Sequence, residues 1–309
     1  MGNKTPVLLD TDIGSDIDDA VCLAYLLRQQ ACELLGVTTV SGDTVQRAAL
    51  ADAVCRAAGK EGVPIYPGSP GPLWHGPGQP HVPQYEAIQN RPHRLEFPSF
   101  RAVAFLQEAI RSRPGEVVLL AIGPLTNVAL LFLTDPEIPE MLRELVLMNG
   151  VFTARGGHGP GAREWNALCD PLATGIVYRA KTPRTVAIGL EVTTRCVLDA
   201  DTCRRRFREA GGPLSIVAQM AEVWFRGRSQ ITFHDPLAAA TIFRPELCEY
   251  QDGEVRVETG PGPLAGLTQF LSHTDQKRHR IAVEVNPEAF FEHYFAVVSG
   301  SGRDEGTAS

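Results

Sequence analysis

Three observations predict an open α/β fold with a mostly parallel, Rossmann-like sheet flanked by helices. Short runs of apolar residues alternate with helix-like segments along most of the chain. Several of those runs are apolar throughout, as strands covered on both faces are, instead of alternating with polar residues. At 309 residues, 44% hydrophobic and 21% charged, the chain can also bury a large core.

The elements follow in order. A first strand is expected at 6–10 (PVLLD) and a helix at 18–29, then a strand at 34–40 (LLGVTTV). Asp43 can cap a second helix over 44–58, which stops at Gly59. Residues 64–98 hold nine prolines and four glycines, so no periodicity survives there. A loop of that length reads equally as a lid over a site or as an irregular surface excursion. Helix 99–112, strand 117–122, helix 126–134, strand 145–149, helix 170–180 and strand 185–190 continue the rhythm, with right-handed crossovers. Further helices are expected at 213–226, 235–243 and 287–295, the last with Asn286 as N-cap and Pro287 at the first turn. No linker or repeat divides the chain, so residues 1–309 are expected to form one domain.

Composition narrows the function. The 29 basic against 36 acidic residues leave a net charge of −7 with no basic run, which argues against a nucleic-acid partner. No stretch approaches the roughly 18 apolar residues of a membrane span. The strand-like run begins directly after Pro6, leaving no room for a signal peptide. Seven cysteines without a CxxC pair exclude zinc ribbons and disulfide scaffolds and suit a cytoplasmic protein with reduced thiols.

The densest chemical signal is LLDTDIGSDIDDA at 8–20, with five aspartates (10, 12, 16, 18, 19) in ten residues between an apolar strand and an apolar helix. Helix capping explains one or two of them. Five crowded carboxylates raise one another's pKa unless a cation sits among them, and oxygen ligands point to Ca²⁺ or Mg²⁺. An EF-hand counted from Asp10 would need an acid at Val21, so that loop type fails. A metal-dependent phosphatase also starts with a strand and a D-x-D pair, but Gly14 stands where Thr or Val is wanted.

The cluster resembles the Ca²⁺ loop of the nucleoside hydrolases of the inosine-uridine-preferring type, D-x-D-P-G-x-D-D-A. Here Ile13 replaces the Pro, and two extra residues precede Asp18-Asp19-Ala20. Four further segments match in order: Gly123-Pro124-Leu125-Thr126-Asn127, Met148-Asn149-Gly150, Glu164-Trp165-Asn166 with Asp170-Pro171, and His234-Asp235-Pro236. Asp12, Asp43, Thr126, Met148 and Glu191 all follow or end expected strands, where open α/β sheets bind ligands.

The resemblance implies Ca²⁺-dependent hydrolysis of a ribonucleoside to base and ribose. It implies an ion held by Asp12, Asp19, Asp235 and the Thr126 carbonyl, with Asp12 as general base and His234 as acid for the departing base. Asp18 and Asn166 would hold ribose hydroxyls and Glu164 would reach toward the 5′ side. Met148 would complete the sugar site, along with Asp43 and His158, which stand where the family has asparagines. The partner implied is a small nucleoside, with a homodimer or homotetramer as the assembly. Two alternatives remain at this point: a Mg²⁺-dependent phosphatase-type hydrolase, and a non-catalytic, calcium-dependent ribose or nucleoside binder favoured by Asp43, His158 and the altered His75-Gly76 loop.

Overall fold

The computed structural model describes residues 4–153, 157–159 and 161–300. Its strands are β1 (Thr5–Thr11), β2 (Cys32–Thr39), β3 (Ile65–Pro67), β4 (Val118–Ala121), β5 (Glu144–Met148) and β6 (Thr185–Ile188). They continue with β7 (Val197–Asp199), β8 (Gln230–Thr232), β9 (Cys248–Val257), β10 (Thr268–Leu271) and β11 (His279–Val285). The helices are α1 (Asp18–Arg28), α2 (Thr44–Ala57), α3 (Ala102–Ser112), α4 (Thr126–Thr134), α5 (Ile138–Met141) and α6 (Trp165–Cys169). After these come α7 (Pro171–Arg179), α8 (Leu190–Thr193), α9 (Ala200–Ala210), α10 (Leu214–Trp224), α11 (His234–Thr241) and α12 (Pro287–Ser299).

Nine strands form one sheet in the order β10-β9-β11-β6-β5-β4-β1-β2-β3. From β3 to β11 every pairing is parallel, and β9 and β10 close one edge antiparallel. Successive side chains of β1 enter different cores, as a pleated strand covered on both faces requires. Val7 and Leu9 pack with Leu23, Leu50, Val217, Leu237 and Phe290 of α1, α2, α10, α11 and α12. Leu8 packs on the other face with Leu106, Leu131 and Val177 of α3, α4 and α7.

The sheet reverses its winding at β1: β2 and β3 lie to one side, β4 and β5 to the other. The carboxyl ends of β1 and β4 therefore open the crevice where such sheets take ligands. Helix N-termini are set there by local chemistry. Asp43 accepts from Gln46 N at 2.9 Å to start α2, and Asp170 accepts from Ala173 N at 3.0 Å to start α7.

Three expectations shift. Helix 99–112 begins only at Ala102, because Phe100 adopts a left-handed φ of 58°. Helix 287–295 continues to Ser299 and ends on Gly300 in the left-handed region. Helix α9 and the strands β9, β10 and β11 at one end of the sheet lie outside the expected elements. All seven cysteines are buried and unpaired.

Candidate active site

The aspartate loop leaves β1 at the switch point. Asp12 is buried beside Gly123, whose missing side chain makes the approach possible: a Cβ there would stand 2.8 Å from Asp12 Oδ1. Asp18 and Asp19 form the first turn of α1, and Asp235 the first turn of α11. Carboxylate oxygens of Asp18, Asp19 and Asp235 all lie within 4.8 Å of one another, and all three residues are buried. The backbone N–H of Asp235 donates to Asp18 Oδ2 at 3.2 Å, fastening the two helix starts together.

Burial and mutual repulsion push Asp18, Asp19 and Asp235 well above the usual carboxylate range. Asp12 is raised to about 6, chiefly by burial, with Arg47 opposing. Three mutually repelling buried acids with oxygen donors only are the donor set of a hard cation.

These residues share a cavity of about 540 Å³, which Ser15, Asp16, Met148, Glu164, Asn166 and His234 also line. Glu164 begins α6 and accepts from Asn166 N (2.6 Å), Ala167 N (3.0 Å) and Gly150 N (3.2 Å). Burial raises it to about 7. The Asn166 amide donates to the carbonyls of Ile122 (2.8 Å) and Met148 (3.1 Å), so it is anchored to the ends of β4 and β5. His234 Nδ1 pairs with Thr193 Oγ1 at 2.7 Å, and burial lowers its pKa to about 4.

Other expected residues stand elsewhere. Asp43 is exposed and caps α2, and it is not among the residues lining the cavity. Thr126 is buried at the head of α4, and its hydroxyl donates to Asp170 Oδ2 at 2.7 Å. Asn127 donates to Asp10 Oδ1 (2.7 Å) and to the Thr39 carbonyl (3.0 Å), tying α4 to β1 and β2. His158 lies half-buried outside the lining, within electrostatic reach of Glu191 and His234. His75 packs away from the cavity with Nε2 3.0 Å from the Thr259 carbonyl. A cavity of about 600 Å³ against α7 and β9 holds no part of the carboxylate cluster.

Several lining residues had not been singled out. Gln79, His81 and Pro83 come from the proline-rich excursion, Trp224 and Arg228 from α10 and the turn after it. The Arg228 guanidinium sits 5.3 Å from the Trp224 ring centre, a cation–π pair at the rim. Only the excursion's length hinted at any of these.

Fold and rim together define a class: an α/β protein with cation-type carboxylates at the switch point of a parallel sheet, beside polar groups suited to a sugar. A family model described as inosine-uridine preferring nucleoside hydrolase matches residues 7–292. The chain belongs to that family and is an N-glycosyl hydrolase of ribonucleosides. Uridine nucleosidase 1 of Arabidopsis thaliana is 31% identical over 274 residues, covering 84% of this chain and 80% of its own. The pyrimidine-specific ribonucleoside hydrolase RihB of Escherichia coli (strain SE11) is 29% identical over 283 residues, 86% of this chain and 87% of its own. In structure, the purine-preferring ribonucleoside hydrolase from Gardnerella vaginalis superposes with a TM-score of 0.81 at 24% identity, covering 96% of this chain and 98% of that one, which speaks for the fold. Among the described residues no helix is long and apolar enough to cross a membrane.

Proposed function

We propose that the protein hydrolyses the N-glycosidic bond of ribonucleosides with Ca²⁺ as its metal. The observation that carries this reading is the buried Asp18–Asp19–Asp235 cluster sharing one cavity with Asp12, Glu164, Asn166 and His234. Asp12, Asp19, Asp235 and the Thr126 carbonyl would hold the ion. When bound, Ca²⁺ supplies orientation of the ribose hydroxyls and of the attacking water, and favours that water's deprotonation.

The chain's own groups do the rest. Asp12, buried and raised to about 6, takes a proton from the water as its oxygen bonds to C1′. The C1′–N bond breaks through an oxocarbenium-like state and its electron pair leaves with the base. Asp18 and Asn166 hold ribose hydroxyls, Glu164 bounds the 5′ side and Met148 packs beneath the sugar. His234, held by Thr193, delivers a proton or hydrogen bond to the departing nitrogen. His158 would stand toward the 5′-hydroxyl of the ribose.

Two of the relatives are pyrimidine enzymes, which makes uridine the first substrate to test. The free thiols suit the cytoplasm, and a homodimer or homotetramer is the assembly to look for by light scattering. The deciding experiment measures free base and ribose released from purine and pyrimidine nucleosides, with and without chelator, restoring Ca²⁺ or Mg²⁺ afterwards. Chelator-sensitive release restored best by Ca²⁺ supports the reading. Undiminished release after chelation would sink the metal's part in it, and phosphate release from esters instead would favour a phosphatase.

A further inference from the structure

Among the described residues Arg47 is one of the largest fully buried side chains, and it sits near the N-terminal end of α2, as its fourth residue, where arginine normally faces water. Every hydrogen bond it makes among the described residues goes to a main-chain carbonyl. Its Nε donates to Ser41 at 2.7 Å, Nη1 to Ile13 at 2.9 Å and also to Asp12, and Nη2 to Gln79 at 2.6 Å with a longer 3.5 Å contact to His81. One planar fork therefore gathers three remote segments: the aspartate loop, the turn after β2 and the excursion.

Two of the segments so gathered line the cavity, the aspartate loop through Asp12 and Ser15 and the excursion through Gln79, His81 and Pro83. A second set of bonds joins the same two segments. Ser15 Oγ donates to the His81 carbonyl at 2.7 Å, Gln84 N to the Gly14 carbonyl at 3.2 Å, and Gln84 Nε2 to the Ser15 carbonyl at 3.1 Å. Ser15 lies in the stretch by which this loop exceeds the family's pattern, so the extra length has a contact to make.

We propose that Arg47 is a positioning residue that holds loop 12–15 and strap 79–84 in one register, with Ser15 as its outer fastening. A charged donor in a dry pocket loses much when its acceptors move, so the two segments shift together or not at all. Lysine cannot replace the fork, because a single ammonium cannot reach acceptors spread around a plane. The proposal rests on the nucleoside-hydrolase reading only for its kinetic readout.

Arg47→Lys in the full chain tests it by hydrogen exchange and kinetics. Exchange at 12–15 and 79–84 should quicken at least about tenfold relative to the rest of the sheet, and KM for uridine should rise about tenfold, the loss expected for one charged hydrogen bond. Arg56→Lys, on the same helix but paired with Asp52, should change neither. Ser15→Ala should quicken exchange at 79–84 alone and carries the test where Arg47→Lys does not fold. Unchanged exchange at both segments in Arg47→Lys, or at 79–84 in Ser15→Ala, overturns the proposal. Absence of base release from wild-type protein would instead overturn the functional reading, while the exchange result still decides the role of Arg47.

Discussion

Asp52 and Asp135 are as dry as the carboxylates of the cavity rim, yet they sit in opposite electrical surroundings. Asp52, 1% exposed, accepts from Arg56 Nε at 2.6 Å and from Arg94 through N at 2.7 Å and Nη2 at 3.3 Å. Asp135 accepts from Arg111 at 2.7 and 2.8 Å and from Gln107 at 2.6 Å, and Arg111 holds it down to about 2. Asp12, Asp18, Asp19 and Asp235 have no ion pair among the described residues, and all four are raised. Burial is common to both groups; what differs is a cation bonded directly to the carboxylate, since the nearby Arg47 gives its hydrogen bonds to carbonyls and only partly offsets the rise of Asp12 and Asp19. The fold completes its charge pairs where an acid serves stability and leaves them open where an acid awaits a ligand.

The sharpest way to break that contrast is Asp12→Ala. Steady-state assays should show kcat lower by about a thousandfold or more with circular dichroism unchanged, whereas Asp52→Ala should keep wild-type kcat. Near-normal turnover in Asp12→Ala would remove the rim from the chemistry. His234→Ala should cost roughly a hundredfold on uridine and far less on a nitrophenyl riboside, whose leaving group needs no proton. Equal losses on both would show that His234 is not the acid.

Stability should separate the groups with opposite sign. In metal-free protein Asp18→Asn relieves repulsion and should stabilise by about 1–2 kcal/mol, while Asp52→Ala should destabilise by about 1–3 kcal/mol. Urea melts of both variants check this, and a destabilised Asp18→Asn would mean the rim is already neutralised within the fold. The smallest effect is the pH slope. Asp10 and Glu164 are raised to about 7 and Asp12 to about 6, against roughly 4 in an unfolded chain. The folded state thus binds more protons between those values, so metal-free stability is greatest near the lower one and declines as pH climbs through 7. Asp135, lowered to about 2, acts only below that window and with the reverse sign. Melting temperatures between about pH 5 and 8 should fall without metal and flatten with Ca²⁺ added. A flat profile without metal would deny the rim its strain.

The sheet's centre was legible because its strands are short, continuous apolar runs, and the rim because five aspartates cannot be explained by capping. Strand β9 was not, since CEYQDGEVRV, though paired on both sides, is half-exposed and carries charges that resemble a loop. Helix α9 escaped for a similar reason: only Cys203 and Phe207 of its eleven residues are buried. Asp43 was legible as a cap, and its carboxylate does accept from Gln46 N at the start of α2. Arg47 was invisible, because its partners are backbone carbonyls supplied by segments far apart in the chain. Trp224 and Arg228 carry no motif, and their place at the rim depends on how α10 packs.

The buried thiols have a practical side. With no sulfhydryl at the surface, the native protein offers no target to thiol-reactive reagents, and a cysteine introduced at exposed Phe100 would be the sole labelling point. The seven native thiols are distributed over α1, β2, α2, α6, α9, β9 and the segment before β7, so each is a silent reporter of its own region opening. Cys169 is the informative one: its Sγ lies 3.2 Å from the Gly78 carbonyl. Its modification rate, read by mass spectrometry without altering a single residue, reports how often the Gly78 segment parts from α6.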